Sequence, residues 1–234
     1  KISGGSPGAD KLLTSDADGD ATWEAASTGG LLGLVVYTGG GTYTKGGTSN
    51  GTAGDEGNAS VTKVIVEVQG GGGSGDRHDT SDNANCAGGG GGYAKKFLDV
   101  SSIVTVTVTV GIGGPGQASN DTAGTDGGIS SFINAGAGTF TDIIGNPGIG
   151  GNTSDKTPAE GGTATGGDIN IQGGVGTYQL HGNPAGSSML GNFGVSLDAS
   201  ALTNGRGYGS GGGSGRFATS GAGAPGIILI WEYA

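Results

Sequence analysis

Residues 61–75 read VTKVIVEVQGGGGSG, a strand pattern that runs directly into a glycine tract. Val64, Val66 and Val68 recur with period two, which buries one face of an extended strand and leaves the other free. The tract beyond them has no side chains to pack. The same two pieces recur along the chain. Residues 103–110 read IVTVTVTV, with Val104, Val106, Val108 and Val110 on one face and Thr105, Thr107 and Thr109 on the other. Such alternation of β-branched residues predicts a half-buried antiparallel strand. Further strands are predicted at 34–38, 43–45, 93–100, 128–133, 139–144, 168–172 and 226–233. The last reads GIILIWEY, apolar on both faces, which fits a central strand or one facing a partner chain.

Between the strands lie glycine tracts at 70–75, 88–92, 111–116, 124–128, 145–151, 161–167, 205–215 and 221–226. Gly accounts for 59 of 234 residues, about a quarter, against a usual share of about 7%. Long helices are excluded, because each helical Gly costs about 1 kcal/mol relative to Ala. Collagen is excluded too, since no Gly-X-Y period persists and there are only 6 Pro. The alternating strands speak against disorder. Two readings of the tracts stay open: mobile loops, or extended polyglycine threads whose backbones approach closely enough to hydrogen-bond to one another.

Lys and Arg number 10 and Asp and Glu 20, a net charge of −10. Nucleic acid and anionic membranes repel such a surface, and no basic stripe offsets it. No apolar run approaches the roughly 18 residues of a helical span, so no membrane insertion is expected. The single Cys86 excludes an intramolecular disulfide framework. Packing or assembly must supply the stability. The chain begins at Lys1 without a signal-like segment and reads as a piece of a longer protein.

Residues 1–33 differ from the remainder. Asp18-Gly19 between LLTSDA and ATWEA is a hairpin signal. We place a connector at 1–33 and a glycine-rich β-domain at 34–234. The connector, LLTSDADGDATWE at 12–24, resembles short segments that recur in bacteriophage tail-fibre proteins just before the distal domain. The remainder resembles the glycine-rich C-terminal domain of phage tail fibres and receptor-binding proteins. The pieces that carry the resemblance are VVYTGGGTYTK (35–45), VTKVIVEVQGGGGSG (61–75), GGGGGYAKKFLDV (88–100), TVTVGIGGPG (107–116), GGDINIQGG (166–174) and GAPGIILIWEYA (223–234). The resemblance implies a homotrimeric, β-rich tip at the distal end of a fibre on the virion. There it would recognise a bacterial surface glycan or outer-membrane protein and join the rest of the fibre. The segments 76–86 and 173–196 are richer in side chains than that pattern.

Several motifs are discounted on physical grounds. Gly70, Gly72 and Gly75 match G-x-G-x-x-G, but no helix follows to receive a pyrophosphate. Asp16, Asp18 and Asp20 resemble the start of a calcium loop without its later Glu, and read as an Asp-rich turn. His78 with Asp76, Asp79 and Cys86 lacks zinc spacing and reads as a solvated polar loop. Glu67 and Glu232 read as outward-facing solubilising residues of strands. No nucleophile elbow occurs, and acids are scattered, so neither enzymatic activity nor a cofactor is predicted.

Large side chains among glycines are anchors packed inward or contacts facing out. Tyr178, His181 and Asn183 share one loop, Arg206 and Tyr208 another, and Arg216 with Phe217 follows. As a group they form the predicted contact surface. Apolar faces with a few fixed polar partners suit a sugar or protein loop. The expected fold is all-β, a sandwich or jelly-roll-like domain with glycine-rich loops, associated as a trimer. Two rivals remain: a purely structural fibre module, and an ice-binding protein presenting the Thr105–Thr109 ladder.

Overall fold

The computed structural model describes residues 2–4, 11–15, 17–25, 30–45, 61–79, 85–152, 157–179, 184–192 and 204–234. Every regular element among them is a β-strand. Strands β1 (Ile2–Gly4), β2 (Lys11–Ser15) and β3 (Ala21–Ala25) form a small sheet in the order β1-β3-β2. The β2–β3 hairpin turns at Asp18-Gly19, with Gly19 at φ +82°. Asp16 lies outside the described residues.

Two larger sheets follow. The first has the order β13 (Ile169–Ile171), β8 (Tyr93–Asp99), β6 (Lys63–Gln69), β17 (Ile227–Tyr233), β4 (Leu31–Tyr37). The second has the order β12 (Ala164–Thr165), β11 (Ile143–Gly145), β10 (Ser130–Asn134), β9 (Thr105–Thr109), β5 (Gly41–Thr44). One core lies between them. Val64, Val66 and Val68 from β6 and Ile228 and Ile230 from β17 meet Tyr43, Val106, Val108, Phe132 and Ile143 from the second sheet. The period-two reading of β9 holds at its centre: Val106 and Val108 are buried, while Thr107 and Thr109 are exposed. Val104 precedes the strand and is exposed. β17 is an interior strand, hydrogen-bonded to β4 on one side and β6 on the other.

Glu67 and Glu232 correct the expectation of solubilising acids, because both are buried. Glu232 lies opposite Val64 on the core face and accepts the Tyr43 hydroxyl at 2.7 Å. Burial and this carboxylate push the Tyr43 hydroxyl far above its usual pKa, so it remains a donor. Glu67, on the opposite face, accepts from Tyr93 at 2.8 Å and from the Trp231 indole at 3.1 Å, with the Lys95 ammonium 3.4 Å away. Long neighbours close over each carboxylate and satisfy it.

The glycine tracts are ordered, and their order comes from the backbone. Along 70–76, successive N–H groups donate to three different neighbours in rotation. Gly70, Gly73 and Asp76 donate to Gly92, Gly89 and Cys86; Gly71 and Ser74 to Gly128 and Thr125; Gly72 and Gly75 to Ala224 and Gly221. A three-residue rotation is that of an extended left-handed helix of the polyproline-II type. Thread 86–92 behaves alike, donating in turn to 173–177, 209–215 and 145–151.

Among the described residues ten threads stack in three layers. The outer layers are 124–128, 145–151, 159–163 and 220–226, 209–215, 184–188. The middle layer is 111–116, 70–76, 86–92, 173–177. Threads 70–76 and 86–92 are each encircled by six others. At Gly72 only Gly permits this spacing, because a Cβ there would stand 2.1 Å from the Ser210 carbonyl oxygen. The middle layer and 220–226 continue strands β9, β6, β8, β13 and β17, and the layer 124–163 continues β10, β11 and β12. The bundle is therefore an extension of the sheets, roughly 20 Å long at about 3.1 Å per residue.

Candidate functional site

The threads carry five chain reversals to the end farthest from the sheets, after 76, 116, 151, 177 and 215. That end is held by a polar knot. Asp76 is fully buried, and its Oδ1 accepts the Cys86 N–H at 2.9 Å. Asn85 donates to the Gly215 carbonyl at 2.6 Å, and the Cys86 thiol donates to the Thr157 carbonyl at 3.2 Å. His78 is buried, with Nδ1 2.5 Å from Asp121 Oδ1. The solvated-loop reading of Asp76, His78 and Cys86 is thereby corrected: glycine backbones come close enough to exclude water from these side chains. Their spacing does not fit a metal, and no group of three potential ligands occurs among the described residues.

Burial pushes the Asp76 carboxyl up to about 7 against the Cys86 hydrogen bond, which lowers it. Asp76 Oδ2 is buried without a hydrogen-bond partner. The folded chain thus keeps this proton where the unfolded chain has lost it. The contribution of this group to stability is full below pH 4 and is lost as pH rises toward 7, by on the order of 4 kcal/mol. We predict that Asp76→Asn removes this slope, so that melting temperatures of the two proteins diverge between pH 4 and 7. Parallel curves would refute the assignment.

Beyond the knot lies an exposed cluster. Arg77 clasps Asp79 through Nε at 3.3 Å and Nη2 at 3.0 Å, and its other Nη donates to the Ala118 carbonyl. This guanidinium holds the Asp79 carboxyl below its usual range. The Asp79 N–H donates to Asn120 Oδ1 at 2.7 Å, and Asp79 Oδ1 accepts the Phe217 N–H at 3.0 Å. Three reversals are thus stitched together at Asp79. Phe217 is 54% exposed and sits at φ +60°, with the Arg216 guanidinium 5.0 Å from its ring centroid. Asp121 sits at φ +54°. A bulky residue held in the left-handed region costs about 1–3 kcal/mol, and such positions cluster at functional sites.

The structure divides the predicted contact residues. Tyr178 pairs with Cys86 through β14 (Tyr178–Gln179) and β7 (Asn85–Cys86), and Arg216 follows Gly215, so both lie at the loop end. Arg206 and Tyr208 lie at the other end of thread 209–215. There β15 (Gly191–Asn192) pairs with β16 (Arg206–Gly207), and a Cβ on Gly209 would meet Gln69 at the end of β6. His181 and Asn183 lie outside the described residues. The sequence placed Asp79 only in a solvated polar loop and assigned Asn120 no contact role, because the two join loops distant in sequence.

The family model for a glycine-rich domain matches residues 56–233, more than half of the chain. The chain belongs to this glycine-rich domain family. No curated protein matches it. In this glycine-rich domain the matched span runs from just before β6 to the end of β17. It takes in all ten threads and the cluster around Phe217.

Proposed function

We propose that the chain is the distal adhesin of a bacteriophage tail fibre. On this reading it binds a bacterial surface glycan or an outer-membrane protein without covalent chemistry, as one of three copies in a trimer. The observation that supports this most is the exposed Phe217, held in a strained conformation by Asp79 and stacked on Arg216, at the end of a rigid bundle. Preformed contacts lose little conformational freedom on binding. Three copies would convert weak contacts into avidity. With 12–24 serving as a fibre connector, as its resemblance implies, this end would point away from the virion.

Adsorption of the fluorescently tagged chain to a panel of bacterial strains tests the reading. We expect saturable binding to some strains and none to others. Failure to bind any strain would favour the structural fibre module. The ice-binding rival draws on one feature of the second sheet, where Thr42 and Thr44 of β5 pair with Thr107 and Thr105 of β9. Two twisted strands make a small plane. Thermal hysteresis in dilute solution would favour that rival.

A further inference from the structure

The two sheets differ in their outward faces. That of the second presents Thr42, Thr107 and Thr109 to solvent. That of the first is apolar apart from the Lys63–Asp99 and Lys95–Glu67 pairs. Leu34, Trp231, Ile65 and Phe97 lie in register straight across β4, β17, β6 and β8. A second row runs from Val36 and Leu229 to Ile169 at the far edge, with the Glu67–Lys95 pair between. Leu34 is 44% exposed and Phe97 53%, and Val36 and Ile169 are exposed as well. A contiguous apolar face of this breadth marks an interaction surface.

We infer that this face, with the edge of β4 that no described strand pairs with, is where copies of the chain pack on one another. Three observations choose that occupant. The first is charge. The chain carries −10, yet on this face Lys63 lies opposite Asp99 and Lys95 pairs with Glu67. Identical chains can meet here without repulsion. The second is the edge. β4 reads LLGLVVY and ends the sheet order, without the Lys or Pro that usually blunts an exposed edge strand. The third is the small N-terminal sheet, which among the described residues pairs with neither large sheet and leaves Leu13 46% exposed. Three strands so short need a covering layer. They precede β4 closely, so copies that meet at β4 bring these sheets together. The inference rests on the fibre-tip reading only for the number of copies, three.

Light scattering after size exclusion tests it on the whole chain of 22.2 kDa. The expected mass is about three times that value for the unaltered chain and for Thr107→Asp. It falls to a single chain for Phe97→Asp and Leu34→Asp, with far-UV circular dichroism unchanged. Should the Asp variants not fold, hydrogen exchange on the unaltered chain replaces them, and β4 amides must slow as concentration rises. A monomeric parent chain, an oligomer that survives both Asp variants, or dissociation by Thr107→Asp would overturn the inference. Adsorption of the chain displayed at high density on beads is scored separately. A monomer that adsorbs from beads defeats the packing face alone, whereas a trimer that adsorbs to nothing defeats the adhesin alone.

Discussion

Gly91→Ala and Gly73→Ala are each expected to leave no cooperatively folded domain. The added Cβ of residue 91 would stand 2.2 Å from the Gly70 carbonyl oxygen, and that of residue 73 would stand 2.2 Å from the Ile149 carbonyl oxygen. Both obstacles are backbone, so no rotamer change relieves them. Thread 86–92 would have to move away from neighbours on all sides, and each inter-thread hydrogen bond it surrenders is worth about 0.5–1.5 kcal/mol. Overpacking adds about 1–3 kcal/mol. Together these approach the whole net stability of a domain, about 5–15 kcal/mol. Gly39→Ala is the control, since nothing lies within 4 Å of its added Cβ. It should melt within a few degrees of the parent chain. Thermal melts by circular dichroism decide the matter, and a Gly91→Ala variant melting like the control would refute the close-packed threads.

What the sequence disclosed follows from what a pattern can carry. Strands announced themselves through side chains: β6 and β9 were readable because β-branched residues recur with period two, and β17 because Ile, Leu and Trp fill both of its faces. The threads have no such alphabet. Their order resides in carbonyl and amide groups that every residue has, so Gly70–Gly75 is the same string whether mobile or stacked. Direction was equally hidden. Tyr208 and Arg216 flank one glycine thread, and nothing in the tract says that its two ends lie at opposite poles of the bundle. Burial of Asp76, Glu67 and Glu232 was missed for a related reason. Acids on a strand or loop read as solvated unless the residues that cover them are known, and those come from distant parts of the chain.

Phe217→Gly should change stability and adsorption in opposite directions, which separates a functional strain from a structural one. At φ +60° a glycine is unstrained, so the substitution relieves about 1 kcal/mol or more. Little packing is lost, because the ring is 54% exposed, with the Arg216 guanidinium 5.0 Å from its centroid. The backbone N–H that donates to Asp79 is retained. Melting temperature is therefore expected to hold or rise by a few degrees. Adsorption should fall at least tenfold per site, since an exposed aromatic stacked on Arg has the character of a binding hot spot, where truncation costs about 2 kcal/mol or more. Avidity would magnify the loss in a trimer. Alanine at Arg206 or Tyr208, at the opposite pole, should leave adsorption unchanged. If Phe217→Gly lowers stability and spares adsorption, the ring is an anchor of the loop, and the contact surface must be sought elsewhere on the chain.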